Sequence, residues 1–215
     1  MNSILKQFKD ILITAFFLLF TLTAMAQVKH KHITVKPPSD QLKEFYNLVA
    51  QANVQFTFPA GFKEIPAVND DYFSFDYAME IPGREFDIWL QVKPLKIEWD
   101  SYLRLKNDIS KSLANPDSLY IGTSQALTNS LAGDQNYAAR SITPDILARY
   151  NASSGKSYLL NLQDLSETKQ YKYALVIILQ KDHVGTIMAV CFTNEKNTEF
   201  FRNVNRISRY IKFKS

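Results

Sequence analysis

Two apolar runs near the end of the chain, residues 174–179 (Ala-Leu-Val-Ile-Ile-Leu) and 187–192 (Ile-Met-Ala-Val-Cys-Phe), constrain this sequence more than any other feature. Each has the length of a strand, and the turn-forming stretch Lys181-Asp182-His183-Val184-Gly185 lies between them. A strand with one wet face alternates apolar and polar residues, whereas a near-continuous apolar run needs cover on both faces. The pair is therefore predicted to be a hairpin, residues 173–180 and 186–193, in the middle of a sheet with a layer above and a layer below. A closing helix over about 198–210 follows. Phe200, Val204, Ile207 and Ile211 share one stripe, while Arg202, Arg206 and Arg209 fall on the opposite side.

The opposite end of the chain reads as a targeting segment. Lys6 and Lys9 precede an apolar stretch over 11–23, and Ala24-Met25-Ala26 is a small-x-small cleavage site. That combination predicts a secretory signal peptide over 1–26, a lead-in over 27–38 and one domain over 39–215. The apolar stretch is shorter than the ~20 residues of a helical span, so no membrane span is expected after cleavage. Export to the periplasm or the medium follows as an expectation. Cys191 is the only cysteine, which excludes an intramolecular disulfide. The formal charge of +4 is too mild, and its basic residues too scattered, to predict a nucleic-acid binder.

Between the two ends the patterns alternate. Ser39 is an N-cap candidate before Leu42, Phe45, Tyr46 and Val49, which predicts a helix over 40–52. Val54, Phe56 and Phe58 alternate as a strand. Phe73, Phe75, Tyr77, Met79 and Ile81, then Phe86, Ile88, Leu90 and Val92, form the clearest two-residue period in the chain. A four-residue loop at Pro82-Gly83-Arg84-Glu85 sets Tyr77 opposite Leu90 and predicts a hairpin with one apolar and one polar face. A helix is expected over about 100–113, strands over 119–127 and 135–142 with a polar loop at 128–134, one or two helical turns over 144–150, a small loop at 151–155, and a strand carrying Tyr158, Leu160 and Leu162.

The order resembles the PsbP-like superfamily. The residues that carry the resemblance are Phe56-Thr57-Phe58-Pro59-Ala60-Gly61-Phe62, the aromatic hairpin over 73–92, the Tyr171–Gly185 stretch with its turn, and Ile207-Ser208-Arg209-Tyr210-Ile211-Lys212-Phe213. The likeness spans about residues 53–213. It implies an α/β fold of the α+β type, an antiparallel sheet with helices on both faces. Because familiar members, an extrinsic photosystem II subunit and a Ran-binding import factor, act by docking to larger partners, it also implies a non-catalytic binding or assembly role. No family motif transfers a site.

The candidate site residues come from the pattern instead. Trp89 projects from the polar side of its strand, between Asp87 and Gln91, as binding anchors often do. Arg202, Arg206 and Arg209 form a stripe suited to an anionic partner. The loop from Asn151 to Gly155 completes the expected contact surface. The expected partner is an envelope protein or a small ligand, with no catalytic residue, metal or cofactor. His30, His32 and His183 fall short of a metal set. The alternative is a hydrolase in which His183 converges with carboxylates such as Asp182 or Asp70. No glycine-rich phosphate loop, Gly-x-Ser-x-Gly elbow or Cys-x-x-Cys occurs.

Overall fold

A computed structural model describes residues 37–70, 73–108, 113–133 and 137–215. The predicted signal segment, His30 and His32 lie outside the described residues. Helix α1 (Asp40–Gln51) starts at Ser39, whose Oγ accepts from Leu42 N at 3.0 Å. Strand β1 (Val54–Phe56), strand β2 (Lys63–Ile65) and the hairpin β3 (Tyr77–Glu80) and β4 (Phe86–Pro94) follow. Then come α2 (Lys96–Leu105), a 3-10 turn (Pro116–Ser118), α3 (Leu119–Ala132), β5 (Ala138–Ser141), α4 (Pro144–Tyr150) and β6 (Ser154–Asn161). The chain closes with β7 (Tyr173–Lys181), β8 (Gly185–Thr193), α5 (Thr198–Asn205), a second 3-10 turn (Ile207–Arg209) and β9 (Ile211–Phe213).

Seven strands form one antiparallel sheet in the order β2-β3-β4-β8-β7-β6-β5. The apolar hairpin β7–β8 is therefore interior, with β8 the middle strand. The register Tyr77 opposite Leu90 holds, as the four-residue loop requires. A separate two-stranded ribbon pairs β1 with β9, setting Val54 opposite Phe213 and Phe56 opposite Ile211. The two ends of the folded region are thus clasped together.

Alternate residues of the central strands enter two different apolar clusters, as the two-residue period of a strand demands. Ile88, Leu90, Ile177, Leu179, Ile187 and Cys191 pack with Phe45 and Val49 of α1, Phe200 and Val204 of α5, and the β1–β9 ribbon. Trp89, Val176, Ile178, Met188, Val190 and Phe192 pack with Tyr120, Leu131 and Ala132 of α3 and with Phe73 and Phe75. In the first cluster Phe45 stacks on Tyr77 at 4.9 Å and meets Phe56 edge-on at 4.9 Å. The Tyr77 hydroxyl escapes an unsatisfied burial by donating to Glu64 Oε2 at 2.8 Å.

Three expectations need correction. Residues 119–127 form a helix, not a strand. Its buried stripe, Tyr120, Ser124, Thr128 and Leu131, includes two small polar residues and so hides the helical period. The "polar" face of the β3–β4 hairpin is not wet: Ala78, Asp87 and Trp89 are all buried there. Burial of Asp87 is tolerated because Lys169 Nζ (2.8 Å) and the Tyr171 hydroxyl (3.0 Å) donate to its carboxylate. Finally, the closing helix stops at Asn205 and tightens into the 3-10 turn before β9.

Asp76, at the mouth of the hairpin, accepts from Val92 N at 2.7 Å. Partial burial raises its pKa above the ordinary carboxylate value, with the Val92 bond opposing. A group with a raised folded pKa stabilises the fold fully below its unfolded value, and that contribution is lost as pH rises through the folded value. Asp76→Asn keeps an acceptor oxygen for Val92. It is expected to flatten the decline of the thermal midpoint across that window and to leave the neutral-pH midpoint equal or higher. Thermal melts of both proteins from acid to neutral pH check this. Trp89→Ala opens a large cavity and is expected to destabilise by ~3–5 kcal/mol, read as a lower urea midpoint at an unchanged slope.

Candidate functional site

α5 is amphipathic, and its N-terminus is fixed by Asn197, whose side-chain oxygen accepts from Phe200 N at 2.9 Å. With Phe200 and Val204 buried, Arg202 is forced outward, and Arg206 follows one α-helical turn later. The switch to 3-10 geometry after Asn205 matters here. Three residues per turn set position i+3 directly over i, so Arg209 aligns with Arg206 instead of drifting around the axis. All three arginines are exposed. Among the described residues, none of them is in an ion pair.

A fourth arginine joins them from a separate helix. α4 starts with Pro144 at its first position, behind Thr143. Its last turn carries Arg149, which lies 3.6 Å from Asp145 of the same helix. Arg149, Arg202, Arg206 and Arg209 line one open depression together with the half-exposed Phe201. Arg206 also borders a neighbouring hollow with Arg84 and Glu199, and those two residues pair with each other at 3.3 Å. The Asp145 carboxyl is held below the ordinary range, chiefly by its hydrogen bond from the Thr143 hydroxyl and in smaller part by Arg149. A cationic surface with the paired carboxylates Asp145 and Glu199 at its border can take an anion by charge and by guanidinium hydrogen bonds.

The depression adjoins an apolar cleft of about 280 Å³ between α4, α5 and the β5–β6–β7 end of the sheet. Arg149, Phe201 and Asn205 border both. The cleft's walls include Ile146, Leu175, Ile177 and Val204, with Ser157 of β6 and Ser141 of the edge strand β5 along one side. Arg140 stands at its rim.

The structure brings Arg202, Arg206 and Arg209 together, buries Trp89 and Gly155, and ties Asn151 to neighbouring segments. Trp89 is 1% exposed, clamped between Phe75 (5.1 Å) and Phe192 (4.4 Å), and cannot meet a partner at the surface. Gly155 is buried inside β6, where even a methyl group would lie 2.7 Å from Ile178 O. It is a close-packing glycine, not a loop contact. Asn151 has left-handed backbone (φ 52°) at the end of α4, with its amide donating to Lys214 O at 2.7 Å and its carbonyl accepting from Lys181 Nζ at 3.1 Å. It latches the C-terminal strand. Arg149 and the cleft escaped the sequence reading because they depend on how α4 and α5 pack.

His183 joins neither Asp182 nor Asp70. Its Nδ1 lies 2.7 Å from Asp117 Oδ2, and its ring stacks on Trp99 at 3.7 Å. Asp70 accepts from Phe73 N within its own turn at 2.7 Å. The Asp117–His183 pair could orient an imidazole, but among the described residues no hydroxyl is hydrogen-bonded to that ring. Asp117 Oδ1 also accepts from His183 N (2.8 Å) and from the buried Gln180 amide (2.9 Å), so it ties the β7–β8 turn to the 3-10 turn before α3. Among the described residues, no group of three or more His, Cys, Asp or Glu side chains gathers to hold a metal. No protein-family model matches the chain, and no curated protein matches it.

Asp117→Ala strands several donors and is expected to destabilise by roughly 1–3 kcal/mol. His183→Ala removes only an exposed pair and a surface stack, and is expected to stay within about 1 kcal/mol of the wild type. Paired urea denaturation curves give both numbers. Equal, large losses would count against Asp117 as the tie.

Proposed function

We propose that this chain is an exported, non-catalytic binding protein of the cell envelope that holds an anionic ligand or partner at the arginine surface of α4 and α5. One observation carries the reading: four arginines from two helices share a depression, and three of them lack any carboxylate partner among the described residues. Like charges held together without counter-ions destabilise a fold by mutual repulsion, and an anion relieves that repulsion. The signal-like segment over 1–26 supports export, and no described helix is long and apolar enough to cross a membrane. The resemblance to the PsbP-like superfamily favours binding over catalysis.

Calorimetric titration with inorganic pyrophosphate at low ionic strength tests the reading. The wild-type chain is expected to bind it, with affinity falling as salt is added. The triple variant Arg202→Gln, Arg206→Gln, Arg209→Gln is expected to lose at least tenfold while keeping or raising its thermal midpoint. Equal affinity of the two proteins would overturn the site.

A further inference from the structure

We infer that the natural occupant of this surface is a single-chain anionic amphiphile, a fatty-acid carboxylate, whose tail enters the apolar cleft while its head meets the arginines. This rests on the proposed anion site and extends it. The decisive feature is continuity: the apolar cleft and the cationic depression share Arg149, Phe201 and Asn205 along their common border. An inorganic anion would use the depression and leave the half-buried Ile146 and Leu175 of the cleft in water. A purely apolar ligand would use the cleft and leave the arginines without a partner. One amphiphile satisfies both.

Size narrows the class. At about 280 Å³ the cleft is just below the range of cavities that enclose drug-sized ligands. It admits one slender alkyl chain and has no room for the paired chains of a membrane phospholipid. The head is set by the guanidinium groups, which present paired N–H donors that match a carboxylate. Phe201, 39% exposed on the helix between the two regions, is placed to cover the chain near its head. Ser157 lines the cleft beside its cross-strand partner Arg140 and on the same sheet face as Ile177, and a large residue at that position occupies the chain's path.

The test is calorimetric titration of the signal-free chain with decanoate below its micellar range, against propionate, decanol and pyrophosphate. Decanoate is expected to bind at least a hundredfold more tightly than propionate, because each buried methylene is worth roughly fourfold in affinity. It is also expected to exceed decanol by tenfold or more. The triple arginine-to-glutamine variant is expected to bring decanoate down to the level of decanol. Ser157→Phe is expected to abolish decanoate binding and leave pyrophosphate binding intact. If pyrophosphate binds but decanoate is no tighter than propionate, the amphiphile is wrong and the anion site stands. If decanoate and decanol bind alike, the carboxylate assignment fails. If neither pyrophosphate nor decanoate binds, both readings fall together.

Discussion

Burial of β7 and β8 on both faces is the constraint on which the rest of this structure depends. A hairpin with apolar side chains pointing both ways cannot be stable with one side in water. Each face must be covered by something the chain supplies. One face receives α1, α5 and the β1–β9 ribbon, and the alternate residues receive α3 and the Phe73–Phe75 segment. Both layers must form before the central strands are dry, which couples residues from the start of the folded region to its end. The β1–β9 pairing makes that coupling explicit by joining Val54 to Phe213.

The same demand explains the polar residues found inside. Asp87 lies on β4 beside the central strand, where any side chain directed inward is buried. Its burial is tolerated because Lys169 and Tyr171, from the connection before β7, donate to it. Lys169 itself has positive φ (51°), as does Gln170 (58°), so the connection adopts left-handed backbone where the lysine crosses to Asp87. A buried carboxylate thereby fixes where an otherwise irregular segment must lie. Asp117 plays a comparable part at the opposite turn, where one carboxylate receives the Gln180 amide, the His183 backbone and the imidazole.

These contacts mark where local sequence stops being informative. Strand alternation made the Tyr77–Leu90 register legible, and the unbroken apolar runs placed β7 and β8 in the interior, because both signals come from neighbours in the chain. The buried state of Trp89 was not legible: on its strand it sits among Asp87 and Gln91, and only the Phe75 and Phe192 rings from elsewhere reveal that its side is covered. Likewise Ser124 and Thr128 disguised α3, whose buried stripe is chosen for close approach to the sheet and for the Ser124–Tyr158 hydroxyl contact at 3.0 Å. Of the site, the Arg202, Arg206 and Arg209 spacing was readable and Arg149 was not, since it lies 53 positions and three strands before Arg202.

The arginine row is hard to explain by folding alone. A cation near a helix C-terminus gains a few tenths of a kcal/mol from the dipole, and that gain fades within the last turn. It covers Arg149 at the end of α4 and Arg202 and Arg206 at the end of α5, but not Arg209, which lies beyond the α-helical turn. Against it stands repulsion between like charges one turn apart, of similar size. Two carboxylates border the row, and each is paired with a neighbour outside the trio: Asp145 with Arg149 and Glu199 with Arg84, leaving Arg202, Arg206 and Arg209 without an ion pair among the described residues. A set of charges whose dipole gain and mutual repulsion are of similar size, beside a cleft whose Ile146 and Leu175 are only half-buried, is better accounted for by a state in which both are covered at once.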